Sequence, residues 1–395
     1  MSAGNRRDAN WGLASQVANG ASNYLLGLAA VHSTSLADYG RFSVVLTTVM
    51  TLVMLTRMTV SQVLLLAPDE NQGAPHEFFG TQIAFAGLSM VLVVPLSGGQ
   101  PAGVVALVAA AAAVTLLQDA TRYWSFAVDG GHRAIKSDLT WLLVGICCFI
   151  ALDLLGYRGL SAVCIAWAVG AAVAVGLVQP EWAMPSFAFI RHRVKDLGFL
   201  AGEALIVVGS GYTLTWMIVW VGGYESLGVV RAAQLSMAPM SSLARGLATS
   251  SLRGFVRDES VACSMWRFLR LVAVYELGNL VVGLGLVGAW SGSLILGENW
   301  GTVRGLLWPV LLGQAISGVT LLLQNLIRAR VGTDVVFKLR AFGMAIDVSL
   351  VLLGVAHSGG PGAVVGFAAA QMFALMATAG TLILARRALR REWAQ

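Results

Sequence analysis

Long apolar runs dominate the chain. Stretches of about 20 mainly apolar residues recur between Trp11 and Leu384, and short polar segments separate them. A helix of this length crosses the hydrocarbon core of a bilayer. The runs lack the alternation of apolar and polar residues that is typical of membrane β-strands. The pattern therefore predicts an all-α integral membrane protein with about twelve transmembrane helices.

The predicted spans divide into two sets. The first set comprises residues 11–31, 41–66, 81–96, 103–123, 139–155 and 159–177. The second set comprises residues 197–221, 226–247, 268–290, 303–327, 335–355 and 362–384. The segments between spans are short, so they leave no room for a soluble catalytic domain.

Composition and charge agree with this class. Of the 395 residues, 57% are hydrophobic and 12% are charged, whereas soluble domains carry about 25% charged residues. Lys and Arg concentrate in alternate loops, which places both termini in the cytoplasm by the positive-inside rule. The formal net charge of +6 is thereby explained by orientation in the membrane, and nucleic acid is not an expected partner.

Two pairs of matching segments indicate an internal duplication. Arg57 and Arg245 both follow the pattern Leu-x-Arg, in the second and the eighth predicted span. The segment LLQDATR, residues 116–122, matches LLQNLIR, residues 322–328, in the fourth and the tenth span. Partners six spans apart have the same orientation, so the repeats are of the parallel class. We expect two six-helix halves, residues 1–185 and 186–395.

Polar residues at membrane depth supply the candidate functional residues. A buried arginine costs about 2.5–3.5 kcal/mol on insertion scales, so Arg57 and Arg245 are candidates for substrate binding in a cavity, with snorkelling or structural pairing as the alternative. Gln16, Asn19 and Asn23 form one polar stripe on the first helix and are candidate cavity-lining residues.

Other polar residues have less specific interpretations. The candidate coupling groups or counter-charges are Glu203, Glu276 and Asp347. The candidate residues of a cytoplasmic rim or gate are Asp119, Arg122, Asn325 and Arg328. Arginine near a helix C-terminus is also favoured by the helix dipole alone. Interhelical hydrogen bonding is the alternative for the amides.

The chain carries no recognisable catalytic or metal-binding motif. Its four cysteines form no CxxC, its five histidines have no zinc-site spacing, and HExxH, GxSxG and a phosphate-binding P-loop are missing. We therefore expect neither an enzyme nor a bound metal or cofactor, and any transport would not be powered by ATP within this chain.

The architecture resembles the MOP exporter superfamily, which includes drug antiporters of the MATE type, lipid II flippases and polysaccharide transporters of the O-antigen flippase branch. The resemblance lies in the arginines of spans 2 and 8, the polar first helix, and the segments 118–126 and 130–134. It implies a MOP-like fold in a bacterial inner membrane and alternating-access flipping of a polyprenyl-diphosphate oligosaccharide for cell-surface polysaccharide synthesis. It also implies that Arg57 and Arg245 hold the pyrophosphate and that glycosyltransferases are partners.

Departures from the family pattern keep alternatives open. The lipid II flippases have two additional spans and an arginine in the first span, and both are missing here. A MATE-like cation or drug antiporter would use Asp347 or Glu276 for coupling. A non-transporting scaffold of a glycan-synthesis complex would need more docking surface than the short loops provide. A membrane glycosyltransferase would need a sizeable extramembrane loop.

Overall fold

The computed structural model describes residues 3–61, 64, 75–96, 102–128, 131–157, 159–178, 183–192, 194–257, 261–288 and 291–392. The side chains of some helical residues, among them Gln16, Glu203 and Arg245, lie outside the described part. Every regular element in these ranges is a helix or a helical turn. The predicted all-α class is therefore confirmed.

Six long helices and one short helix occupy the first part of the chain. They are α1 Ala3–Ser33, α2 Leu36–Thr56, α3 Pro75–Leu96, α4 Ala102–Val128, α5 His132–Leu154, α6 Leu160–Val178 and α7 Ala188–His192. A π turn, Arg57–Ser61, directly continues α2.

The remaining helices follow in the second part. They are α8 Val194–Ser236, α9 Ala238–Arg257, α10 Val261–Gly288, α11 Ser291–Leu296, α12 Trp300–Arg304, α13 Leu307–Arg330 and α14 Thr333–Glu392. A single 3₁₀ turn, Gly297–Asn299, joins α11 to α12.

Two of these helices are sharply broken and each supplies parts of two predicted spans. α8 breaks at Gly223, where φ is 77°, and α14 breaks at Ser358 and Gly359, where φ of the glycine is 62°. Glycine enters this left-handed region without the steric cost that a Cβ atom imposes. With the breaks counted, helical residues overlap all the predicted spans within the described ranges. Seven described helices are long and apolar enough to cross a membrane, one of them the kinked stretch Asp334–Ala385.

The chain forms two compact units, Met1–Trp216 and Met217–Gln395. The division falls inside α8, whereas the duplication predicts halves that meet near residue 185. That duplication boundary stays a prediction.

The core of the first unit forms where α4, α5 and α6 pack against one another. Trp141 on α5 and Trp167 on α6 are both fully buried, and the indole Nε1 of Trp141 donates to the carbonyl of Trp167 at 3.3 Å. Gly170 on α6 faces the Trp141 ring and backbone, so its lack of a side chain allows the two helices to approach closely. In the second unit, α13 packs against α9, α10 and α14.

Gly170→Val tests this close approach. A Cβ atom at Gly170 would lie 2.8 Å from the Trp141 ring and 2.9 Å from its backbone oxygen, so we expect a destabilisation of about 1–3 kcal/mol. Gly176→Val on the same helix is the matched control, because nothing lies within 4 Å of its added Cβ atom. Thermal unfolding of the purified protein in detergent measures both variants. Equal melting temperatures for the two would contradict the packing described.

Candidate functional site

Arg57 lies where α2 changes its backbone geometry. The α-helix ends at Thr56, and the π turn begins at Arg57 itself. Such turns are rare and often occur at functional sites, since they displace side chains from their regular helical positions. The Arg57 side chain retains 25% exposure, which makes it accessible although it follows a long apolar span.

Asp119 on α4 holds the Arg57 guanidinium in a two-point ion pair. Arg57 Nη2 donates to Asp119 Oδ1 at 2.6 Å, and Arg57 Nε donates to Asp119 Oδ2 at 3.0 Å. The guanidinium carbon also lies 5.6 Å from the centre of the Tyr123 ring. Bidentate pairing fixes the orientation of the fork as well as its position.

Arg122, one helical turn after Asp119, extends the network inward. Its Nη1 donates to Asp119 Oδ1 at 2.9 Å, and its Nε lies 2.9 Å from Asp138 Oδ1 and donates to Oδ2 at 3.0 Å. Both Arg122 and Asp138 are fully buried. The third nitrogen of the guanidinium, Nη2, is buried and has no hydrogen-bond partner among the described residues.

Asp138 on α5 receives two further donors. Gln118 Nε2 on α4 donates to Asp138 Oδ1 at 2.9 Å, and the Ser15 hydroxyl on α1 donates to Oδ2. We call Arg57, Asp119, Arg122 and Asp138, with the donors Gln118 and Ser15, the charged network. It links α1, α2, α4 and α5, and its formal charge is zero, as the burial of ionised groups requires.

The sequence-predicted site residues of the first unit are only partly brought together. Arg57, Asp119 and Arg122 join directly, so Asp119 is the counter-charge of Arg57 in the structure, and both Asp119 and Arg122 are buried rather than exposed at a rim. Asn23 Nδ2 instead bonds to the backbone oxygen of Asn19 at 3.0 Å, one turn earlier on α1. The third residue of this stripe, Gln16, is outside the described side chains.

Sequence reasoning missed Asp138 and Ser15. Asp138 follows the basic loop segment 133–136 and reads as a polar residue before a span, while a single serine in an apolar helix carries no signal. A usable signal existed only for Asp119, because an Asp and an Arg three residues apart in an apolar helix favour pairing.

The second unit places its matching residues in a similar arrangement. Gln324 and Asn325 on α13 correspond to Gln118 and Asp119 in the sequence match. Asn325 Nδ2 donates to the carbonyl of Ala248 on α9 at 2.7 Å, and Gln324 Oε1 accepts from Arg340 Nε on α14 at 3.2 Å. In both units these neighbouring residues thus contact one preceding and one following helix, while the charges differ. Arg328 is partly buried on the same helix, and the Arg245 side chain is outside the described part.

The other acidic candidates also lie in the second unit. Asp347 Oδ1 accepts from Gln371 Nε2 at 3.0 Å, between the two arms of α14. Glu276 on α10 has a buried Oε1 with no hydrogen-bond partner among the described residues. The side chain of Glu203 lies outside them. No group of three or more His, Cys, Asp or Glu within the described ranges could hold a metal ion.

Comparison with known proteins identifies the architecture. No family model matches the sequence, and no curated protein matches it. Among solved structures, the lipid II flippase MurJ in an inward closed conformation superposes with a TM-score of 0.72 at 9% identity, covering 94% of this chain and 87% of that one. An outward-facing multidrug resistance MATE transporter of the MOP superfamily gives 0.67 at 12% identity, covering 97% and 96%. The chain has the MOP-superfamily fold.

The resemblance noted in the sequence is therefore confirmed at the level of fold. An inward-facing MATE transporter also matches, with a TM-score of 0.59 and 15% identity over 96% of this chain and 94% of that one. At such low identities the structural similarity establishes only the architecture, because one fold hosts several functions. The specific activity has to be argued from the charged network.

Arg122→Ala tests whether the network is a structural requirement of the MOP fold here. Removing this guanidinium leaves Asp138 buried without its cation, so we expect a loss of about 3–5 kcal/mol in stability or a failure to accumulate in the membrane. The matched control is Arg41→Ala, because Arg41 makes the same three-residue-spaced ion pair with Asp38 at 2.9 Å but on a half-exposed surface. Exposed pairs contribute at most about 1 kcal/mol. Comparable melting temperatures and yields for the two variants would argue against the network's structural role.

Proposed function

We propose that this protein is a membrane flippase that translocates a polyprenyl-diphosphate oligosaccharide, or a related anionic glycolipid, by alternating access. The observation that carries the proposal is that the accessible residue of the charged network is a cation, Arg57. The Arg57 side chain is 25% exposed, whereas those of Asp119 and Arg122 are 5% and 1% exposed. The group offered to a ligand is thus a guanidinium.

An exposed guanidinium at membrane depth needs a polar environment. Contact with lipid tails costs several kcal/mol, so intramembrane arginines face the interior of the helix bundle or a wet cavity. A guanidinium presents a planar fork of donors that matches phosphate oxygens, and it stays protonated under all physiological conditions. These properties suit a diphosphate headgroup whose lipid tail remains in the bilayer.

The fold is shared with a lipid flippase as well as with drug transporters, so it can host such a substrate. One of the structural neighbours, MurJ, is a lipid II flippase. A role in cell-surface polysaccharide synthesis, in a bacterial inner membrane and beside glycosyltransferases, follows from this assignment. Arg245, which matches Arg57 in the repeat, is the second arginine that we propose for binding an anionic headgroup.

A cation or drug antiporter is the second candidate, and Asp347 favours it. Its hydrogen-bond partner Gln371 is neutral, so the ionised form of Asp347 would have no arginine or lysine partner among the described residues and would attract a cation. The carboxylates of the charged network do not share this property, because each is ion-paired with arginine.

A flipping assay in proteoliposomes tests the assignment. With a polyprenyl-diphosphate sugar as substrate, Arg57→Ala should slow flipping at least about tenfold, because charge-assisted hydrogen bonds contribute roughly 1.5–3 kcal/mol. Arg57→Lys should retain part of the rate, since it keeps the charge without the fork. Arg245→Ala should act in the same direction as Arg57→Ala.

The control is Arg41→Ala, reconstituted at the same protein density, and it should flip at the wild-type rate. An unchanged rate in both Arg57→Ala and Arg245→Ala would refute the flippase assignment. Cation-coupled drug efflux that Asp347→Asn abolishes and Arg57→Ala leaves intact would establish the antiporter instead.

A further inference from the structure

We infer that Asp119 is an exchangeable counter-ion. It pairs with Arg57 when no substrate is bound, and it pairs with Arg122 alone when a diphosphate binds Arg57. This inference rests on the proposed function and assigns a role to Asp119 within the same site. Asp119 then competes with the substrate for Arg57, and the Arg57–Asp119 ion pair is not a fixed structural link.

The two arginines are held very differently. Arg57 contacts one carboxylate among the described residues, that of Asp119, and its side chain is a quarter exposed. Arg122 contacts the carboxylates of both Asp119 and Asp138 and is fully buried. Arg57 is therefore the cation that can leave the network, and Arg122 is the one that stays.

Departure of Arg57 leaves one negative charge in excess in the network, but neither carboxylate loses its last cationic contact. Breaking a buried ion pair is normally costly because the remaining charge is uncompensated. Here Asp119 Oδ1 already accepts from Arg122 Nη1 at 2.9 Å, so the carboxylate keeps a cationic partner. Asp138 meanwhile keeps the Nε of Arg122, the amide of Gln118 and the hydroxyl of Ser15.

Arg122 also carries the donor that the exchange requires. When Arg57 leaves, Asp119 Oδ2 loses its hydrogen bond from Arg57 Nε. Arg122 Nη2 belongs to the same rigid fork as Nη1 and is buried without a partner among the described residues. A small rotation of the Asp119 carboxylate would bring Oδ2 to Nη2, so a one-point contact becomes a two-point contact. Arg122 Nη2 would thereby gain a hydrogen-bond acceptor.

The exchange makes the site selective for strongly anionic headgroups. A ligand that takes the Nε–Nη2 edge of the Arg57 fork must replace a two-point carboxylate contact. A diphosphate offers several oxygens and more than one negative charge, whereas a neutral or singly charged headgroup offers less than Asp119 already provides. Asp119 therefore lowers the affinity for every anion and leaves only multiply charged ligands able to bind.

Asp119→Asn separates this role from a structural one. The amide retains the shape of the carboxylate and removes its charge, so Arg57 loses its competing anion. Binding of inorganic pyrophosphate to the purified full-length protein, measured by titration calorimetry, should become about tenfold tighter than in the wild type, while flipping of the lipid-linked substrate slows because Arg57 no longer returns to its resting partner. A purely structural Asp119 would give weaker binding together with a lower melting temperature. The matched control is Asp38→Asn, an exposed partner of Arg41, which should bind pyrophosphate as the wild type does.

The outcomes distinguish this inference from the proposed function. If Arg57→Ala weakens pyrophosphate binding and Asp119→Asn binds with unchanged or lower affinity, the counter-ion exchange is overturned and the flippase assignment stands. If pyrophosphate binds to neither the wild type nor Asp119→Asn, both are overturned.

Should Asp119→Asn fail to fold, the wild type provides an independent measurement. Hydrogen–deuterium exchange in the π turn Arg57–Ser61 should increase on addition of pyrophosphate, because the turn loses its ion pair to α4. Unchanged exchange at saturating pyrophosphate would overturn the inference.

Discussion

The charged network in the first unit satisfies a constraint that the bilayer imposes on any buried charge. Lipid tails cannot solvate an ion, so an ion that is buried at membrane depth away from water is compensated by groups of opposite charge and by hydrogen-bond donors. Here Arg57 and Arg122 are balanced by Asp119 and Asp138, and Ser15 and Gln118 bind the remaining carboxylate oxygens. Because these residues come from α1, α2, α4 and α5, satisfying their charges also fixes how the four helices align.

The sequence predicted the helices well because hydropathy is a local property. Each span buries its own backbone polar groups, so its position can be read from about 20 consecutive residues. The breaks in α8 and α14 also follow local signals, since Gly223 and Gly359 carry the positive φ angles and Pro361 follows the second break. Predicted spans and observed helices therefore differ mainly at their ends. The exception is the eighth predicted span, which is divided between α8, ending at Ser236, and α9, beginning at Ala238.

The charged network was only half predictable, because its partners are distant in sequence. Arg57 is recognisable because an arginine at membrane depth is energetically costly. Its partner Asp119, however, lies 62 residues away, and Ser15 lies 123 residues from Asp138. Hydropathy cannot show which polar residues on separate helices meet. The repeat was a better guide: it pairs Asp119 with Asn325, and both residues bond to a preceding helix, one through an arginine and the other through the carbonyl of Ala248. The two matching segments thus place a polar residue at a similar position, with a charge in one and none in the other.

The shared fold leaves the nature of the cargo to the side chains. A lipid II flippase and a multidrug resistance transporter both match this chain, with 9% and 15% identity. Backbone similarity therefore cannot separate a flippase from a drug antiporter. The sign of the charge on the accessible side chain distinguishes the two. To bind a cation at Asp119, the ligand would have to displace two guanidiniums from a carboxylate that is 5% exposed. Arg122 would keep its contact with Asp138, but Arg57 would need a new partner. To bind an anion at Arg57, the ligand displaces one carboxylate that already has a second arginine. After the second exchange both carboxylates still contact Arg122, so no charged group is left without an oppositely charged neighbour. This difference is the physical argument for the proposed anionic headgroup.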